Sequence, residues 1–291
     1  AMSALVEQGA RMADSNKKLT AQFGALYSVV REATYWAHEA GRKEIRREDI
    51  DTAMNTRVER DEVYRRHLLQ VYKDNVFVVE TTGKKVGQIN GLAVMGSFGV
   101  PMRITVVPSA AAGMGGIISV DRNAGPNQTG SSFNKALGVV EGFLQNLFAQ
   151  KRPFPARLSI SYEQNYGGID GDSATSTEMY SILSALSGVP IGHNFAVTGS
   201  ADQFGNVQAI GGVNHKIEGF YELAKARGLT GDQGIVIPQA NVADLQLSLE
   251  VVEAVRAPCS TRALIASCVR FVASCLSSRA RDTTAFLKNC T

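Results

Sequence analysis

"GGIDGDSATSTEMYSILSALSGVPIG", residues 167–192, carries the reading of this chain. Gly167, Gly168 and Gly171 allow backbone conformations that a side chain would forbid, so the chain can turn sharply here. The run from 174 to 187 then has the spacing of a helix. Asp172 or Ser173 can cap it, because a short polar side chain at that point accepts a hydrogen bond from a free backbone N–H. Ser173 has a second use in the same place. Free N–H groups and the positive end of the helix dipole could stabilise an oxyanion formed at a nucleophilic serine. Spacing alone leaves both readings open.

Further along, "FAVTGSADQFGNVQAIGGVNHKIEGFYELAKARG" (195–228) reads as a hairpin turning at Gln203-Phe204-Gly205. It ends in Gly211-Gly212 and leads into a helix over 215–227. Lys216 falls in the first turn of that helix, where its charge opposes the dipole. The placement suits an amine held neutral: burial and the dipole both disfavour the ammonium, and a neutral lysine can act as a general base. An exposed, solvated charge is the plain alternative, and the local sequence does not separate the two.

The rest of the chain is mixed α/β. Its 291 residues exceed one typical domain, which predicts two. With 44% hydrophobic and 20% charged residues, the composition is that of an ordinary globular protein. Thirty basic against 27 acidic residues give +3, too little to imply a nucleic-acid or membrane partner. No apolar run reaches the roughly 18–20 residues that span a bilayer, and nothing reads as a signal peptide, so a cytoplasmic location is expected. Cys259, Cys268, Cys275 and Cys290 form no CxxC pair, so reduced thiols are expected and zinc is not.

Residues 3–72 contain no proline and read as an all-helical subdomain, 1–72. "DSNKKLT" is a capping stretch, and Leu19, Phe23, Leu26, Val30 and Ala33 recur at helical spacing. Two more helices are expected, one opening at Arg47-Glu48-Asp49 and a charged one over "RVERDEVYRRHLLQVYKD". From Asn75 the character changes. "NVFVVET", "KKVGQINGLAVMG", "MRITVVPSA", "ARLSISYEQ" and "QGIVIP" read as strands, with a helix over "SFNKALGVVEGFLQNLFA". Strands and helices alternate without a strict βαβ rhythm, so a mixed sheet is expected over 76–291. The tail from Asn241 reads as helix, short strand and helix.

Several fragments imitate other sites. Ser132-Phe133-Asn134-Lys135 fits S-x-x-K, but the chain lacks the K-T-G and S-D-N partners of that chemistry. His38-Glu39 opens like a zinc helix, yet position 42 is Arg. "TTGKK" (81–85) lacks the glycine spacing of a P-loop, and "GMGG" (113–116) is not GxGxxG. His67, His193 and His215 have no spacing that makes them ligands or a triad base.

Taken together, "DGDSATSTEMYSILSALSGVPI", "FAVTGSADQFGNVQAIGGVNHKIEGF" and "GIVIP" resemble the proteolytic domain of Lon, the ATP-dependent serine proteases that use a Ser-Lys dyad. "NKALGVVEGFL" is similar to a helix of the archaeal-like LonB branch, and the resemblance covers residues 76 to about 256. Residues 3–72 look like the small helical lid of an AAA+ module. The resemblance implies Ser173 as nucleophile, Lys216 as general base, Thr198 of "VTG" as the group that holds the lysine, and Asp172 as a supporting residue. It further implies unfolded protein and peptide substrates, a hexameric ring, and ATP with Mg bound by a P-loop subdomain that these 291 residues do not contain. Peptides are expected to add as a strand beside an edge at 159–166. "GGVNHK" departs from the lysine-glutamate pair of many members, so His215 adds a second titratable neighbour. Gln22 stands near where a nucleotide-sensing arginine often falls. The rival reading is a Lon-like ring-forming module with little hydrolysis of its own.

Overall fold

The computed structural model describes residues 1–256 except 16, 97, 112–114, 126 and 127. The four cysteines and the strand and helix expected at the end of the chain lie outside the described residues. The described residues divide into two compact units, residues 1–74 with 243–246, and residues 75–242 with 247–256.

In the first unit, helices α1 (Met2–Met12), α2 (Phe23–Glu39) and α3 (Arg47–Lys73) pack around Ala4, Val29, Ala33, Ile50 and Ala53. The buried stripe of α2 is Val29, Ala33 and Ala37, whereas Leu19 and Phe23 are exposed. Phe23, Leu26, Val30 and Ala33 lie on one helix as their spacing implies, with Ala33 buried and Leu26 and Val30 half-buried, while Leu19 precedes it. Small side chains let the helices approach closely, and that geometry outweighs the larger apolar residues nearby. Among the described residues of "DSNKKLT" no side chain caps α2; its N-cap is Gln22, whose N–H is bound by Thr20 Oγ1 just upstream. The two helices expected after residue 47 form one 27-residue helix, since neither glycine nor proline interrupts it. Asp49 accepts from the Arg46 N–H and from both arms of Arg42, at 2.6–2.7 Å. The Arg42 guanidinium holds that carboxyl down to about 2.

The second unit is built on a six-stranded sheet. In chain order its elements are β1 (Lys84–Lys85), β2 (Gln88–Met95), β3 (Phe98–Ala110), β4 (Gly116–Ser119), α4 (Val120–Asn123), α5 (Ser131–Phe148), β5 (Ala156–Tyr162) and α6 (Thr175–Ser187). There follow β6 (Ile191–Gly192), β7 (Phe195–Val197), β8 (Ser200–Ala201), β9 (Val207–Gln208), α7 (Val213–Arg227), β10 (Gly234–Val236), a 3-10 turn (Gln239–Asp244) and α8 (Leu249–Arg256). The strand order is β10-β7-β2-β3-β5-β4. The β2–β3 and β3–β5 pairs are antiparallel; β10–β7, β7–β2 and β4–β5 are parallel. The sheet is mixed.

Alternation of side chains along the strands gives the sheet two apolar faces. Ile89, Ile104, Val106, Leu158, Ile160 and Val197 join Phe133, Val140 and Leu144 of α5 and Ile182 of α6 in the main core. Leu92 and Ala196 point the other way and meet Phe220 of α7.

Two expectations fail here for the same reason, the destination of backbone hydrogen bonds. "NVFVVET" (75–81) forms no strand. Its polar groups are taken by side chains instead: Val78 N–H donates to Gln164, and Val76 and Glu80 carbonyls accept from Gln164 and Asn90. Nor is 159–166 an open edge. Ser159 and Ile160 pair with β3 on one side and β4 on the other, and the Tyr162 N–H is capped by Asp121 Oδ2 at 2.9 Å. A peptide cannot add a strand there.

Contact between β3 and α7 positions the lysine. A Cβ on Gly99 would lie 2.1 Å from the His215 carbonyl oxygen and 2.6 Å from Lys216 Cα, and one on Gly219 would lie 2.0 Å from the Gly99 carbonyl oxygen. Only paired glycines allow this approach. Gly99→Ala should therefore push α7 from the sheet and cost about 1–3 kcal/mol, read as a lower urea midpoint. An unchanged midpoint would show that the backbone yields without cost.

Candidate active site

Ser173 sits between a tight turn and the start of α6. Gly168 and Gly171 have φ of 80° and 104°, which most side chains would not tolerate; Gly167 has no such requirement. The helix begins at Thr175 with Ala174 as N-cap and no side-chain cap. Neither Asp172 nor Ser173 therefore does the capping that the sequence allowed. The Asp172 carbonyl instead accepts from the Thr175 N–H at 3.1 Å and hydroxyl at 2.5 Å. Exposed Asp172 directs its carboxylate to Ser200 Oγ at 2.8 Å. The Ser173 hydroxyl is left for another partner.

That partner is Lys216. Its Nζ lies 2.7 Å from Ser173 Oγ and 3.1 Å from Thr198 Oγ1. Thr198 Oγ1 in turn donates to the Ser173 carbonyl at 3.0 Å, and the Gly199 N–H donates to the same oxygen at 2.7 Å. Lys216 is 2% exposed, so the amine meets hydroxyls in a site largely shut from water. Burial disfavours the charged form of a lysine. The three residues predicted from separate stretches of sequence come together at one point, and Asp172 borders it.

Each partner is held by ordered backbone. Thr198 follows β7 directly, and its N–H donates to the Val236 carbonyl of β10 at 3.0 Å. The preceding Val197 carbonyl accepts from Thr177 Oγ1 of α6 at 3.0 Å. The Ser176 N–H donates to the Gly199 carbonyl at 2.9 Å. The helix that follows Ser173 and the strand that precedes Thr198 are thus stitched together across the site. Ahead of α7, buried Asn241 binds both the N–H and the carbonyl of Ile210 at 2.9 Å. The β8–β9 hairpin is tied by Asp202, whose carboxylate accepts from Phe204 and Asn206 N–H groups and the Asn206 amide.

Sequence reasoning missed Asn241, Ser200 and the paired glycines, whose partners are remote in the chain. It missed Glu178 as well. Thr175-Ser176-Thr177-Glu178 imitates a capping box, but Glu178 is buried and hydrogen-bonded by Tyr162. His215 is half-buried beside Lys216 on α7. Among the described residues, no group of His, Cys, Asp and Glu is arranged to hold a metal ion, and no helix is long and apolar enough to cross a membrane.

Comparisons with known proteins match nearly the whole chain to two family models. Residues 62–263 match the Lon protease (S16) C-terminal proteolytic domain, and residues 1–60 match the archaeal LonB, AAA+ ATPase LID domain. The chain belongs to the Lon protease family. It is 40% identical over 184 residues to a putative Lon protease homolog of Escherichia coli, covering 61% of this chain and 31% of that protein. It is 34% identical over 186 residues to an archaeal Lon protease of Methanocaldococcus jannaschii, covering 60% and 26%. A third relative, an archaeal Lon protease of Thermococcus kodakarensis, is 29% identical over 266 residues, covering 87% and 38%. The chain spans about a third of the length of these Lon relatives.

Thr198 binds Lys216 and the Ser173 carbonyl through one hydroxyl. Thr198→Val removes both bonds inside a buried site, at an expected cost of about 1–3 kcal/mol. Denaturant unfolding would measure it. A loss within error of zero would mean that the threonine does not hold the site together.

Proposed function

We propose that this chain is the lid and proteolytic portion of an ATP-dependent Lon-type serine endopeptidase, cutting unfolded proteins and peptides through Ser173 and Lys216. The observation that carries the reading is the 2.7 Å contact between Ser173 Oγ and a lysine amine that is 2% exposed. A cap or a surface charge accounts for neither.

In the proposed reaction, neutral Lys216 Nζ takes the Ser173 hydroxyl proton as Oγ attacks the peptide carbonyl. The new Oγ–C bond gives a tetrahedral oxyanion. Thr175 and Ser176 N–H groups already serve Asp172 and Gly199 carbonyls, which leaves the Ser173 and Ala174 amides as the donors proposed for it. The C–N bond then breaks, and the Lys216 ammonium returns its proton to the departing amine. Water attacks the ester, giving up a proton to Lys216, and the acid leaves as Ser173 Oγ is reprotonated. Thr198 keeps the lysine aimed by accepting from it.

Substrate is proposed to pair with β2 at Leu92–Val94. Beyond Gly91, β2 has no strand partner on the β7 side among the described residues. Val94 lies against Gly212, at the entry to the lysine's helix, so a peptide on that edge runs toward the dyad. Main-chain pairing is tolerant of sequence, as degradation of unfolded chains requires. Within a longer protein, the proposal extends to a cytoplasmic hexameric ring whose P-loop subdomain binds ATP and Mg.

Ser173→Ala and Lys216→Ala should each lower peptide cleavage by roughly three orders of magnitude or more while the fold is kept, because the two act as a unit. Near-normal turnover by Lys216→Ala would remove the lysine from the mechanism. Activity should rise with pH as Lys216 loses its proton, and the rising limb should persist in His215→Gln. A limb that vanishes in that variant would assign it to the histidine.

A further inference from the structure

Beneath the nucleophile lies a carboxyl group that the proposed chemistry does not use. Glu178 stands in the first turn of α6, 1% exposed. Its Oε1 accepts from the Tyr162 hydroxyl of β5 at 2.7 Å, while its buried Oε2 has no hydrogen-bond partner. Its N–H donates to the carbonyl of Ala174, the residue that follows Ser173, at 2.9 Å. Among the described residues, the titratable groups acting on it are Tyr162 and Asp121 of α4, whose carboxylate lies on the Tyr162 N–H.

We infer that Glu178 is a positioning residue held as the neutral acid, and that its ionisation disarms Ser173 by disturbing the first turn of α6. The inference rests on the peptidase reading above. A carboxylate in the first turn of a helix is normally favoured by the dipole. Here the opposing effects win. Ionised Glu178 would have one donor where a buried carboxylate needs several, and the charge of Asp121 is nearby. A neutral acid with one unmatched hydroxyl is the cheaper state. Burial raises the Glu178 carboxyl to about 8, Asp121 adds to the rise, and the Tyr162 hydrogen bond opposes it. Burial likewise raises the Tyr162 phenol well above its usual value, so it stays a donor throughout this range.

Two consequences follow, one of them independent of catalysis. Turnover should be bell-shaped, rising as Lys216 deprotonates and falling as Glu178 ionises. Stability should also depend on pH. The folded-state value of about 8 lies above the ordinary 4.5, so the stabilising proton is fully held in both states below 4.5. The contribution is lost progressively as pH rises toward the folded value, with no further loss beyond it.

The test is the pH dependence of kcat and of Tm for the full chain, its Glu178→Gln variant and its Tyr162→Phe variant. Glutamine mimics the neutral acid. Wild-type kcat should fall about fivefold over the first pH unit past its alkaline midpoint, and Glu178→Gln should hold its rate across the same range. Tyr162→Phe removes a bond that favours ionisation, so its alkaline limb should move to higher pH. The Tm of wild type should decline between pH 4.5 and about 8 more steeply than that of Glu178→Gln. An alkaline limb that Glu178→Gln leaves in place overturns the inference. Equal Tm slopes overturn it as well, even if the chain cleaves nothing. A wild-type chain inactive at every pH with the steeper Tm slope would instead sink the peptidase reading and, with it, the link from Glu178 to Ser173.

Discussion

A lysine amine withdrawn from water is an expensive object, and the second unit of this protein is arranged around one. Lys216 can stay buried because two hydroxyls, Ser173 and Thr198, meet its Nζ at 2.7 and 3.1 Å. Those hydroxyls come from different elements, and each must be placed within a few tenths of an ångström for the contact to exist. The Gly99–Gly219 approach brings α7 onto the sheet, while Asn241 clamps the chain just before that helix. On the far side, Thr177 and Ser176 of α6 donate to the carbonyls of Val197 and Gly199 in the β7 segment. Of the polar side chains buried at the start of α6, Thr177 makes such a cross-link through its hydroxyl, and Ser176 through its N–H.

The same constraint explains why the serine is available. A serine two residues before a helix would ordinarily spend its oxygen on a free N–H. Here the Asp172 carbonyl takes that role through Thr175, and Asp172 itself is occupied by Ser200. The capping duties are displaced onto neighbours, and Ser173 Oγ faces the amine. Local economy of hydrogen bonds thus separates a serine that faces an amine from a cap, which the quoted stretch by itself could not do.

Buried ionisable groups of opposite type lie on the two sides of Ser173. Both are buried, and for Glu178 burial favours keeping the proton, because it penalises the charged form. One group is in contact with the hydroxyl, and the other supports the helix that presents it. His215 and Asp172, the titratable neighbours nearest in sequence, are more open to solvent.

Much of this was legible in the residues. Alternating β-branched runs, glycine punctuation and the apolar spacing of 131–148 and 175–187 are local signals, and local signals specify elements; the helices and most of the strands stand where they point. Ser173, Lys216 and Thr198 were readable because short motifs carry them. What the sequence could not decide was everything that depends on partners remote in the chain. Residues 75–81 have strand composition but give their backbone bonds to side chains of Gln164 and Asn90. Strand β5 reads like an edge, yet β4 covers it. Glu178 drew no reading from the sequence, yet it is buried and accepts a hydrogen bond from Tyr162 of β5. Composition and spacing determine what a segment can become, whereas burial and hydrogen-bond destination belong to the packed molecule, where each group competes for partners that only folding brings near.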